Sequence, residues 1–253
     1  MKLSMMRLVL PLLAITLASG CASTGNTEQQ AKNSYADPRD PIESFNRGVW
    51  DLNYDVLDAY ILRPTTVGYM TVVPKPARQG IANLVNNLDE PVNVVNALLQ
   101  FKPKSAAVGT GRFVINSTLG LLGLFDVATA LDLKEQDEDF GQTLAVWGVP
   151  HGPYVMLPAM GPGTARDVTG RLVDNLYFPA TWLNTPLALT KAGLNILGAR
   201  EQLMSSEQLL KESVDPYSFV KEAYFQRRDY EVHDGSPPQK EEDESYLDDY
   251  LDN

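Results

Sequence analysis

The chain is poor in the residues that build most metal and redox chemistry. One cysteine among 253 residues excludes a disulfide scaffold and a cysteine-ligated cluster, and two histidines leave little for a histidine metal site. Basic residues are also scarce. With 21 Lys+Arg against 32 Asp+Glu the formal charge is −11, the wrong sign for a phosphate backbone, so no nucleic-acid partner is expected. No uninterrupted apolar run reaches the roughly 20 residues that a spanning helix needs. Catalytic signatures are missing too: there is no G-x-S-x-G, no H-E-x-x-H and no phosphate-binding G-x-x-x-x-G-K-[ST]. Gly161-Pro162-Gly163 lacks the third glycine of a dinucleotide loop, and His151 sits in a Pro/Gly-rich turn. The acidic run Glu135 to Asp139 lacks the spaced ligands and glycine of a calcium loop and reads as solvated. The chain therefore reads as a non-enzyme without cofactors. What is present, 44% hydrophobic and 21% charged residues, is enough for a real core.

The first 20 residues read as a signal peptide. Lys2 and Arg7 precede a short apolar stretch from Leu8 to Ala18, and Ser19 and Gly20 lead directly to Cys21. Leu17-Ala18-Ser19-Gly20-Cys21 resembles a bacterial lipobox, with Ala18 where leucine is more usual. Cys21 is thus the expected acylated N-terminus, and Ala22-Ser23 resembles the outer-membrane class. Residues 21–37, rich in Ala, Ser, Thr, Gly, Asn and Gln, read as a flexible tether. Residues 231–253 carry nine acids against one base, Lys240, and read as a disordered acidic tail. Tyr246, Leu247, Tyr250 and Leu251 in it allow either a short docking helix or a merely solubilising tail.

Residues 38–230 read as helical. Asp40-Pro41 resembles an N-cap, and Ile42, Phe45, Val49, Leu52, Val56 and Tyr60 recur at helical spacing until Pro64 stops them. Trp50, Tyr54, Leu57 and Ile61 widen that apolar stripe. A second helix is expected over Pro76 to Leu88, restarting at Asp89-Glu90-Pro91, and Asp215-Pro216 opens a late one. No alternating strand pattern or Asn-Gly hairpin is evident.

Three stretches lack charge for unusually long: Phe113–Phe125, Phe140–Ala165 with four prolines and five glycines, and Asn175–Thr190. None can span a bilayer, and each suits either a buried core or an interfacial position. Arg112 and Asp126, which bracket the first, are expected to pair across a helix hairpin. Asparagines 46, 53, 83, 86, 87, 93 and 96, set among the apolar stripes, could line a polar path for lipid head groups.

Against this background the chain resembles the VacJ/MlaA family of outer-membrane lipoproteins. The resemblance begins at DPIESFNR (40–47) and continues through NLDEPVNVVNALLQ (87–100), RFVINSTLGLLGLFDVA (112–128) and DFGQTL (139–144). It runs on through Trp147-Gly148-Val149, Gly152-Pro153-Tyr154, Leu157-Pro158, Gly161-Pro162, Arg166-Asp167 and DPYSFVKEAYFQRR (215–228). It implies an all-α fold: a single ring-like bundle of amphipathic helices, partly embedded in the inner leaflet of the outer membrane, with irregular Gly/Pro-rich segments and a central channel. The implied partners are phospholipid, the outer-membrane bilayer, a trimeric porin and a soluble periplasmic lipid carrier. The implied task is removal of phospholipids misplaced in the outer leaflet, preserving lipid asymmetry. The alternative is a structural or porin-associated lipoprotein without transport. Candidate channel or gate residues are Asn46, Asn53, Gly120, Gly123 and Phe125, with the two glycines letting Phe113–Phe125 flex.

Overall fold

The computed structural model describes residues 37–176 and 185–238. The signal segment 1–20, Cys21, the tether up to residue 36, the tail from 239 onward and Trp182 of the third uncharged stretch lie outside the described residues.

Helix α1 (Glu43–Asp51) runs without a break into a π-helical stretch (Leu52–Leu62) and then α2 (Arg63–Val72). Pro64 therefore does not stop the helix as expected. It falls where bonding changes from i−5 to i−4: the Arg63 amide donates to the Asp58 carbonyl, five residues back. The hydroxyls of Thr65 and Thr66 donate to the carbonyls of Ile61 and Leu62 at 2.6 and 2.8 Å, serving acceptors at this junction. Nor does Asp40 cap α1. Ile42 occupies the N-cap without a side-chain bond, and Asp40 is buried. Its carboxylate accepts from Asn46 Nδ2 at 2.7 Å, Tyr217 Oη at 2.5 Å and Lys221 Nζ at 3.3 Å, tying the start of the domain to its last helix.

Helix α3 (Lys75–Leu99) is continuous through Pro91, where two helices were expected. Proline inside a helix costs about 3 kcal/mol, and packing supplies the offset. Helix α4 (Pro103–Thr118) folds back antiparallel along α3, bonding Arg112 to Glu90 and Asn87 to Ser117. A one-turn helix α5 (Val127–Ala130) and α6 (Phe140–Val146) follow, each N-capped by an aspartate: Asp126 accepts from the Thr129 amide and Asp139 from the Gln142 amide.

An antiparallel hairpin, β1 (Tyr154–Leu157) and β2 (Gly161–Thr164), then pairs Tyr154 with Thr164 and Leu157 with Gly161. No strand was expected. Its four-residue strands, the second reading GPGT, carry no alternating pattern, and asparagines from the first helix hold them instead. Helix α7 (Ala165–Asp174) starts on a Thr164 cap, followed by α8 (Thr185–Leu203), a 3₁₀ turn (Met204–Ser206), α9 (Glu207–Glu212) and α10 (Pro216–Val232). As expected, Asp215 caps α10, accepting from the amides of Tyr217 and Ser218. Glu231 belongs to that helix and pairs with Arg227 and Arg228, and Asp234 pairs with Lys102, so the first residues assigned to the tail are held by the fold.

The apolar core is small. Tyr154, Met156, Val49, Tyr217 and Tyr224 pack together, with Trp50 and Phe225 against them. Among the described residues nine apolar side chains are buried against sixteen polar or charged ones, whereas thirty-two large apolar side chains are exposed. A water-soluble domain shows the opposite balance inside.

Candidate functional site

Three buried ionic clusters hold the helices together. In the first, Arg112 pairs with Glu90 and Asp126, the latter at 3.3 Å as expected, and donates to the Leu133 carbonyl at 2.6 Å. Burial pushes the Glu90 carboxyl up in pKa, although Arg112 opposes it. In the second, Arg228 of α10 reaches Asp139 of the α6 cap at 2.6 Å and Asp167 of α7 at 2.9 Å, while the Tyr224 hydroxyl donates to Asp167. Burial works against ionisation of both aspartates, yet Arg228 holds both carboxyls below their ordinary pKa. Helices α6 and α7 approach closely enough that a Cβ on Gly170 would lie 2.3 Å from the Gly141 amide nitrogen. In the third, Lys102 binds Glu138, which also accepts from Gln100 at 2.8 Å. Glu138 and Asp139 are thus structural ion-pair members, correcting the expectation of a solvated loop from 135 to 139. Loss of hydration, followed by repulsion from Asp137, raises Glu135 to about 7. Among the described residues no group of His, Cys, Asp and Glu is arranged to hold a metal ion.

Beside these clusters lies a cavity of about 360 Å³. It is lined by Asp89, Val92 and Asn93 of α3, Glu138 and Asp139 of the loop before α6, Arg171, Asp174 and the following Asn175 of α7, and Ala188, Lys191, Ala192 and Asn195 of α8. Lys191 spans from α8 to Asp89 of α3 at 2.7 Å. Asp174 accepts from Asn96 Nδ2 at 2.9 Å and the Phe140 amide at 3.0 Å. Burial raises its pKa, with those two bonds opposing.

The other sequence candidates fall elsewhere. Asn46 is fully buried: its Nδ2 donates to the Tyr154 carbonyl at 3.1 Å and its Oδ1 accepts from the Met156 amide at 2.9 Å. Asn53 repeats the grip one hairpin turn on, donating to the Leu157 carbonyl at 2.9 Å and accepting from the Ala159 amide at 2.8 Å. Both serve the β-hairpin, whose β1 edge they complete, and neither lines the cavity. Of the other asparagines named, Asn93 does. Gly120 and Gly123 lie in the turn after α4, where a Cβ on Gly120 would sit 2.2 Å from the Phe125 carbonyl and one on Gly123 2.5 Å from Asn87 Cβ. Close approach, with φ +97° at Gly123, requires these glycines. Leu119, Leu121, Leu122, Leu124 and Phe125 project outward from this knuckle, Phe125 61% exposed.

The residues that sequence reasoning missed are Arg171, Asp174 and Lys191. A signal was present, since Asp174 and Lys191 are the charges that bracket the uncharged stretch 175–190.

A helical frame with ion pairs inside and large apolar side chains outside defines a class: helical proteins with a polar interior and an apolar exterior. Among the described residues no helix is long and apolar enough to cross a membrane. The chain belongs to the MlaA lipoprotein family, which it matches over residues 38–231. It is 43% identical over 235 residues to the intermembrane phospholipid transport system lipoprotein MlaA of Escherichia coli K12, covering 91% of each chain. It is 39% identical to the protein of that name in Haemophilus influenzae, covering 88% of this chain and 89% of the relative. A solved structure described as the "Structural basis for maintenance of bacterial outer membrane lipid asymmetry" shares 44% identity with a TM-score of 0.72, covering 76% of this chain and 98% of its own.

Proposed function

We propose that this protein works in phospholipid transport between membranes and so maintains outer-membrane lipid asymmetry, taking phospholipid from the outer leaflet through a polar path between its helices to a soluble periplasmic carrier. The observation that carries the reading is the inverted surface: thirty-two exposed large apolar side chains around ionic clusters and a charged cavity. A lipid head group needs polar contacts throughout its passage, and its tails need an apolar exterior. Family membership gives the system, and the cavity gives a polar compartment of the size of a small-molecule site, about 300–1,000 Å³. Anchoring through Cys21, a seat in the inner leaflet and association with a trimeric porin complete the proposal.

The test is outer-leaflet phospholipid in cells lacking the gene, with porin levels followed alongside. Surface phospholipid should rise with porins unchanged and fall again on complementation, but not on complementation with Cys21→Ala, whose loss of the acyl anchor fractionation should show as a smaller share of the chain in the outer membrane. Altered porins with normal surface lipid would favour a structural lipoprotein instead.

A further inference from the structure

The charges around the cavity do not all cancel. From outside the lining, Lys102 pairs with Glu138 as well as Asp234, and Arg228 pairs with Asp139 as well as Asp167 and Glu231, while Lys191 pairs with Asp89 within it. Two lining charges are left, both on α7. Arg171 donates to the Pro162 carbonyl at 3.3 Å, and no carboxylate among the described residues lies within ion-pair distance of it. Among the described residues Asp174 accepts only from uncharged donors, Asn96 and the Phe140 amide. Residues three apart on a helix share a face, with their Cβ atoms about 5–6 Å apart. The cavity therefore presents one cation and one anion side by side, neither in an ion pair among the described residues, with Arg228 acting on Asp174 only at longer range.

From this juxtaposition we infer that the cavity receives a zwitterionic phospholipid head group bearing a primary amine, its phosphate on Arg171 and its ammonium on Asp174. The two-carbon bridge between phosphate and amine suits neighbouring side chains on one helical face. A guanidinium is the side chain best shaped for phosphate oxygens. An ammonium can donate to a carboxylate that already holds two neutral hydrogen bonds. A phosphoglycerol head group satisfies Arg171 equally well but offers Asp174 only neutral hydroxyls in place of the ammonium. Discrimination is then the difference between an ion pair and a neutral hydrogen bond at Asp174. This inference rests on the transport reading and adds to it a head-group preference.

The test presents the full acylated chain, in detergent, with an equimolar mixture of phosphatidylethanolamine and phosphatidylglycerol of matched acyl chains, and quantifies bound lipid by mass spectrometry. Phosphatidylethanolamine should be enriched about five- to tenfold, the scale of one partly solvated charge contact. Asp174→Asn should bring the ratio close to one, and Arg171→Gln should lower the binding of both lipids. A wild-type ratio at or below one overturns the inference whatever the variants do, so a variant that fails to fold cannot rescue it. The cell assay separates the two claims: clearance of surface lipid without preference removes this inference and leaves the transport reading. Preference without clearance retains the site and removes the transport reading.

Discussion

The hairpin core and the apolar knuckle use the same chemistry in opposite directions. Around β1 and β2, asparagines 46 and 53 bind backbone so that Tyr154 and Met156 turn inward against Tyr217 and Tyr224. At residues 119–125, asparagines again bind backbone: Asn87 donates to the Leu122 carbonyl at 3.3 Å and Asn83 to the Leu124 carbonyl at 3.4 Å. There the leucines turn outward. Leu121 and Leu122 even adopt positive φ, 53° and 63°, a conformation that costs about 1–2 kcal/mol per residue. A side chain held outward at such a cost has a surrounding that rewards it. The hairpin faces the protein, and on the proposed transport reading the knuckle faces an apolar medium.

The largest expected effect tests what holds the knuckle's base. Arg112 ties Glu90, Asp126 and the Leu133 carbonyl together beneath it. Arg112→Met leaves Glu90, 1% exposed, buried without its cation, a loss of about 3–5 kcal/mol. Chemical denaturation in detergent should show it, and the double variant Arg112→Met/Glu90→Leu should recover most of the loss. If the double variant is no better than the single one, the cluster is held by something other than this pair.

Next comes Gly123. A Cβ there meets Asn87 at 2.5 Å while φ is +97°, so Gly123→Ala should cost about 1–3 kcal/mol. The damage should be local. Hydrogen exchange should quicken at the amides of Leu122, Gly123 and Phe125, which donate to Ser117, Asn116 and Gly120, and stay unchanged in the hairpin. Equal quickening in both regions would mean that they unfold as one unit.

Much of this architecture was legible from residues, and its gaps share a cause. Helical periodicity and the Asp215-Pro216 cap announced α10, and the Arg112–Asp126 pair followed from charges bracketing an uncharged run. The same rule, carried further, finds the cavity. Asp139 borders one such run, and Asp174 and Lys191 border another, and all three line the cavity. A charge at the edge of a long uncharged stretch has little neighbouring polar surface to share, so the fold turns it inward. Tertiary contacts hid the rest. Pro91 sits within α3 because α4 packs along it, and Asp40 left the cap position because Tyr217 and Lys221, far along the chain, claim its carboxylate. The hairpin escaped notice because its strands are specified by asparagines more than 100 residues earlier.

A smaller effect concerns pH. Glu135 titrates near 7 in the folded protein, above the ordinary 4.5. The folded state therefore binds the extra proton between those values. Its stabilising share is complete below about 4.5 and is lost as pH rises through 7. With the side chain 34% exposed, screening reduces the share to about 1 kcal/mol. Glu135→Gln should flatten the stability profile between pH 4.5 and 7 and raise stability above 7. An unchanged slope would place the titration on another group, with Asp137, also raised by burial, the next to replace.

The smallest effect on folding should be the most telling for function. Asparagine tolerates positive φ better than leucine, and Leu121 and Leu122 are 60% and 70% exposed. Leu121→Asn/Leu122→Asn should therefore leave stability within about 0.5 kcal/mol. Contact with lipid should respond differently, since each leucine contributes about 1.5–3 kcal/mol when fully transferred from water. Co-sedimentation of the unacylated Cys21→Ala chain with phospholipid vesicles should fall roughly tenfold or more when both leucines are replaced. The paired change separates the two regions, because a polar substitution at Tyr154 or Met156 must unfold the core while this one touches only the outer surface. Vesicle binding that survives the substitution would mean that the knuckle turns its leucines toward another protein, and the apolar medium inferred from their backbone would then be that partner's surface.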